Sequence, residues 1–115
     1  MEDLDYKPII QRIKWLLQND PRLQKELWEY LGVTRQTIYD WGKRYNPTLS
    51  ILFKISKYFG VPLEYLIAGE ESPIDDATAA FIVQTRDLTE EQKKIIYASI
   101  NAQVDMFKKL NQENK

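Results

Sequence analysis

Cysteine and histidine are both absent from this 115-residue sequence. Without thiols there is no disulfide framework. Without either side chain, the common structural zinc sets and Cys–His or Ser–His catalytic pairs are also missing. Glycine is scarce, at four residues, and all four fall at turns or boundaries rather than in a phosphate-cradling loop. No apolar run approaches the ~18 residues of a membrane span. The acidic start, Met1-Glu2-Asp3-Leu4-Asp5, carries the wrong charge for a secretory signal. The paired acids Asp75-Asp76 and Glu90-Glu91 read as a linker and a helix N-terminus rather than a catalytic dyad. The expectation is a soluble, cytoplasmic protein that is not an enzyme, needs no metal or cofactor, and has no membrane partner.

What is present suffices for a core. Apolar residues make up 43%, including three Trp, seven Tyr and four Phe, too rich a set for a disordered chain. Net charge is −1, but it is unevenly placed. Residues 1–69 hold ten Lys/Arg against eight Asp/Glu, and residues 70–115 hold six against nine. Within 33–58 the basic residues are Arg35, Lys43, Arg44, Lys54 and Lys57, and Asp40 is the one acid.

Periodicity predicts a series of short helices. The first spans about Pro8 to Gln18, with Ile9, Ile13, Leu16 and Leu17 on one face. Asp20-Pro21 reads as N-cap and first helical position of a second, about 21–31, carrying Leu23, Leu27, Trp28 and Leu31. A third is expected over 34–44, and Tyr45-Asn46-Pro47 as a loop. Thr48 caps a fourth that ends at Gly60-Val61, and Pro62 opens a fifth with Leu63, Leu66 and Ile67 inward. Leu27, Leu31, Ile38, Trp41, Phe53 and Phe59 are the expected core. The polar stretch from Gly69 to Pro73 marks a domain boundary, so 70–88 reads as a linker. Inside it, 74–87 is open between helix and extended segment. Thr89-Glu90-Glu91-Gln92 forms a capping box before a C-terminal helix within 89–115. Ile96, Ile100, Val104 and Phe107 line one face of that helix, which either folds back on its own domain or joins a second copy.

The most informative stretch is Gln24 to Trp41. Gly32, after Leu27 and Leu31, can take the left-handed conformation that ends one helix. Thr34 offers a hydroxyl to cap the next, Arg35-Gln36-Thr37-Ile38-Tyr39-Asp40-Trp41. Ile38 and Trp41 share its inner face, while Arg35, Gln36, Tyr39 and Asp40 face outward. That layout is a helix-turn-helix.

On these residues, together with Gly32-Val33-Thr34, Pro47-Thr48-Leu49 and Ile55 through Ile67, the stretch from about Ile9 to Gly69 resembles the Cro/repressor-like helix-turn-helix family of bacterial and phage transcription regulators, often called the Xre family. The resemblance implies an all-α fold: a five-helix lambda-repressor-like domain, a linker, and a C-terminal helix. It also implies a repressor that binds an inverted-repeat operator in double-stranded DNA as a homodimer. The positions it matches for base contact are Arg35, Gln36, Tyr39 and Asp40. Those it matches for the DNA backbone are Gln24, Thr34, Thr37, Lys43, Arg44, Tyr45 and Asn46. Ile96, Ile100, Val104 and Phe107 would form the dimer contact, with room there for a regulatory protein partner. The chain departs from the family pattern at Trp28, where a small residue is usual, at Leu23, where a Ser/Thr cap is frequent, and in the short loop after Trp41 containing Gly42. The rival reading is a protein-interaction module, an antirepressor or adaptor, on the same fold without specific DNA binding.

Overall fold

The computed structural model describes residues 4–113; the Met1-Glu2-Asp3 end of the acidic start and the last two residues of the C-terminal element lie outside them. Among the described residues the chain is all-helical. The order is α1 (Tyr6–Asn19), α2 (Gln24–Leu31), α3 (Arg35–Asp40), α4 (Leu49–Phe59), α5 (Leu63–Ile67), a 3₁₀ turn (Gly69–Glu71), α6 (Asp76–Thr85) and α7 (Glu90–Glu113). Two compact units result, the first ending at Gln84 and the second beginning at Thr85.

The five helices expected in the N-terminal domain are present, and local chemistry adjusts their ends. Asp5 accepts from the Lys7 N–H at 3.2 Å, so α1 starts two residues before Pro8. Asp20 does not cap α2. Its carboxylate takes the Arg22 backbone N–H and is gripped by the Arg22 guanidinium, with Nη2 at 2.7 Å from Oδ2. The helix consequently begins at Gln24, later than expected, with Leu23 at the N-cap and no side-chain bond there. Thr48 caps α4 through the Ile51 N–H at 3.2 Å.

One core is built from α1, α2, α4, α5 and α6. Ile9, Ile13 and Leu16 meet Leu27, Leu52, Ile55, Phe59, Tyr65 and Leu66, all essentially inaccessible. Trp41 joins this cluster, and Ile38 packs at its margin. Phe53 does not belong to it. The inward stripe of α4 is Leu52, Ile55, Ser56 and Phe59, a 3–4 spacing that leaves Phe53 on the outer flank. The Phe53 ring is half exposed, with the Lys57 ammonium 5.3 Å from its centroid.

Residues 74–87, open at the level of sequence, are resolved by α6. Ala79, Ala80 and Val83 are buried, and Asp75 caps the helix by accepting from the Thr78 N–H at 2.8 Å. Side-chain hydrogen bonds hold α6 to its neighbours. The Tyr65 hydroxyl donates to Asp76 Oδ1 at 2.6 Å, Trp15 Nε1 donates to the Asp76 carbonyl at 3.0 Å, and Gln84 Nε2 donates to Asn19 Oδ1 at 2.9 Å. The first unit therefore extends well past Gly69. Periodicity did not reveal α6 because Ala79-Ala80-Phe81-Ile82-Val83 is an unbroken apolar run with little amphipathic contrast, which suits an extended segment as well as a helix.

In the second unit, Thr89 and Gln92 form the expected capping box. The Gln92 N–H donates to Thr89 Oγ1 at 3.1 Å, and the Thr89 N–H to Gln92 Oε1 at 2.9 Å. No residue of α7 is buried, and Ile100, Val104 and Phe107 are exposed along it.

Val83→Ala removes buried methyl groups from the α6 contact and should cost about 1–3 kcal/mol in chemical denaturation. A change near zero would mean that α6 is not part of the folded unit. The buried Tyr65 phenol gives a second check. Burial first, then the hydrogen bond and negative charge of Asp76, hold its pKa above the ordinary value. A raised folded value contributes stability below the unfolded pKa of about 10, which is lost as pH rises through the folded value. Stability should fall with pH above about 10, and Tyr65→Phe should make that decline shallower.

Candidate nucleic-acid interface

The site is set by how α2 ends. Gly32 sits at φ 71°, and its N–H bonds the Glu29 carbonyl at 3.2 Å, while the Val33 N–H bonds the Trp28 carbonyl at 3.1 Å. A side chain at that φ would be strained, so glycine is the residue that lets the chain reverse here. Thr34 then caps α3. Its Oγ1 accepts from the Thr37 N–H at 3.2 Å and lies 3.1 Å from the Thr37 hydroxyl. Thr37 is thus tied into the cap rather than projecting freely.

α3 is six residues long, shorter than the 34–44 expected. Trp41 turns extended at ψ 129° and Gly42 follows at φ 83°, which closes the helix. Lys43 and Arg44 donate their backbone N–H groups to the Asp40 carbonyl, each at 3.0 Å, and the Gly42 N–H bonds the Tyr45 carbonyl at 3.0 Å. Lys43, Arg44, Tyr45 and Asn46 consequently occupy a tight, exposed loop beside α3 instead of its last turn.

The outward face of α3 is organised in two i,i+4 pairs. Arg35 Nη2 donates to the Tyr39 hydroxyl at 2.8 Å, and the guanidinium lies 5.1 Å from the Tyr39 ring centroid. Gln36 Nε2 donates to Asp40 Oδ1 at 3.2 Å. Asp40 takes its side-chain bond from Gln36 and not from Lys43 or Arg44. Arg35, Gln36 and Tyr39 are exposed, and Asp40 is half-buried.

Behind this face a groove of about 210 Å³ runs between α1, α2 and α3, lined by Lys14, Leu17, Gln18, Gln24, Trp28, Arg35, Ile38, Tyr39 and Lys43. It gathers Gln24, Arg35, Tyr39 and Lys43 from the expected site. Trp28, one of its lining residues, is half-buried. Lys14 and Gln18 were not anticipated. Their i,i+4 spacing on the polar side of α1 was the available signal, but only the packing of α1 against α2 brings them here. Ile96, Ile100, Val104 and Phe107 belong to the second unit.

Among the described residues no helix is long and apolar enough to cross a membrane, and no group of three acidic side chains is placed to hold a metal ion. An exposed short helix, capped, turned sharply from its predecessor and flanked by basic residues, defines a helix-turn-helix. Residues 22–66 match the helix-turn-helix family. The chain is 45% identical over 49 residues to an uncharacterized HTH-type transcriptional regulator of Methanocaldococcus jannaschii, covering 42% of this chain and 74% of that protein. It is 38% identical over 68 residues to the repressor protein CI of Enterobacteria phage phi80, covering 59% of this chain but 29% of the repressor. It is also 28% identical over 81 residues to the cryptic phage CTXphi transcriptional repressor RstR of Vibrio cholerae, covering 69% and 72%. No solved structure matches. The chain belongs to the Xre-like, Cro/repressor-type helix-turn-helix family, whose members are DNA-binding transcription regulators.

Because Thr34 closes the N-terminus of α3, Thr34→Ala should destabilise the fold by about 0.5–2 kcal/mol, measured by denaturation without any DNA. No loss would mean that the hydroxyl does not cap α3.

Proposed function

We propose that this chain is a sequence-specific repressor of bacterial or phage type that occupies an inverted-repeat operator as a dimer. The observation that supports it best is the outward face of α3, where Arg35, Gln36 and Tyr39 project from the first turns of a capped helix. Arg is suited to guanine O6 and N7, and Gln to adenine N6 and N7, each at ~1–3 kcal/mol of discrimination. Thr34, Thr37, Gln24 and the loop residues Lys43, Arg44, Tyr45 and Asn46 flank the groove and would fix register on phosphates without reading sequence. Two relatives bearing the name repressor add weight to this reading.

The second unit would supply the dimer. α7 is 24 residues long, about 36 Å of helix. Its exposed Ile100, Val104 and Phe107, in line with the half-buried Ile96, form an apolar stripe that self-association would cover. A dimer places two recognition helices ~34–36 Å apart, one DNA turn, which matches an inverted repeat. The chain's net charge of −1 would keep non-specific DNA affinity low, leaving base contacts to decide occupancy. The rival, a protein-interaction module, draws on that same acidity and on the Trp28 groove.

Selection of duplexes from a random pool at near-physiological salt should enrich an inverted repeat. A lone half-site would remove the dimer, and no enrichment would replace the repressor with the interaction module. On the enriched operator, Arg35→Ala should lose about 1–3 kcal/mol and relax one base preference. Lys43→Ala should weaken all duplexes about equally and lower the salt slope by about 1.

A further inference from the structure

The proposed base-reading face contains a side-chain contact that joins an acid to a base-reading residue within α3. Asp40 is the one acid between residues 33 and 58, and a carboxylate beside DNA repels phosphate. In the structure it is engaged by Gln36, whose Nε2 donates to Oδ1 at 3.2 Å. We infer that Asp40 is a specificity-determining residue acting through Gln36, fixing the polarity of its carboxamide so that the side chain selects adenine over guanine.

The argument is one of donor counting. A carboxylate only accepts, so Gln36 must turn its NH₂ toward Asp40, and the flipped amide would set a carbonyl oxygen against a negative charge. One N–H is thereby committed. What remains at the tip of Gln36 is one N–H and one carbonyl oxygen. Adenine presents N7 as acceptor and N6–H as donor in the major groove, which this pair matches. Guanine presents two acceptors, N7 and O6, and would need both N–H groups of an untethered glutamine. The tether therefore removes the option that guanine requires. An exposed i,i+4 pair is weak in water, but it strengthens when the groove excludes solvent, which is when the choice of base is made. Lys43 and Arg44 bond the Asp40 carbonyl through their backbone N–H groups, and among the described residues neither side chain forms an ion pair with its carboxylate.

This inference rests on α3 being the base-reading helix, and the test separates the two. Wild type, Gln36→Ala, Asp40→Asn and Asp40→Glu are compared on duplexes selected from a random pool. Gln36→Ala identifies the base pair whose preference depends on Gln36. At that pair, wild type should prefer adenine, and Asp40→Asn should reduce its preference over guanine by roughly ten-fold. Asparagine can donate as well as accept, so it no longer enforces one amide polarity. Asp40→Glu keeps an acceptor at i+4 and should retain the preference. Asp40→Asn should also tighten binding to every duplex through lost repulsion, and that uniform gain is distinct from the change at one pair. If Asp40→Asn raises affinity uniformly with the adenine preference intact, or if the Gln36-dependent base is not adenine, the inference is overturned while DNA recognition stands. If wild type enriches no motif, both fall.

Discussion

Everything at the candidate interface depends on the reversal at Gly32-Val33-Thr34. Gly32 in the left-handed conformation closes the carbonyls of α2, and Thr34 immediately opens α3, so two helix ends are satisfied within three residues. No slack remains in which the angle between α2 and α3 can vary. Leu27 and Leu31 from one helix and the Ile38 and Trp41 pair beyond the turn pack on the same core. The outward direction of Arg35 and Gln36 is therefore a consequence of burial elsewhere. Such a short helix has almost no stability of its own; it is held by its cap, by its inner face and by the closed loop that follows.

That division of labour explains what the sequence disclosed. The turn was legible because it relies on residue types with narrow conformational uses: a glycine where φ is positive, a threonine where an N-cap is needed. The capping box at Thr89 and Gln92 was legible for the same reason. Helix ends were harder where a polar side chain had two suitors. Asp20 looked like a cap because it precedes proline, yet Arg22 lies within reach and offers a bidentate grip that one backbone N–H cannot match. Gly42 was noticed as a departure, but only its positive φ shows that it ends α3 early.

Phe53 and α6 mark a different limit. Aromatic residues on a helix with an apolar majority all look internal, and only the register of Leu52, Ile55 and Phe59 decides which one is left out. α6 was obscured because Ala79 and Val83 belong to an unbroken apolar run that carries no helical period, although both are fully buried. Its anchorage comes from Trp15, Asn19 and Tyr65, residues 11 to 65 positions away in sequence, and no local pattern reports such partners. The pairing of Gln36 with Asp40 was within reach of helical spacing.

The docking of α6 has a consequence for the proposed dimer. Between the end of α6 at Thr85 and the start of α7 at Glu90 lie four residues, a tether of at most about 14 Å when fully extended. A free 70–88 stretch would have let two DNA-binding units drift and sample many separations at low local concentration. With most of that stretch folded into the first unit, joining two copies through α7 would confine the units to a narrow range of distances. In such a dimer, operator geometry would depend on the protein's own ruler: insertion or deletion of a base pair between half-sites would be resisted by chain length as well as by helical phase.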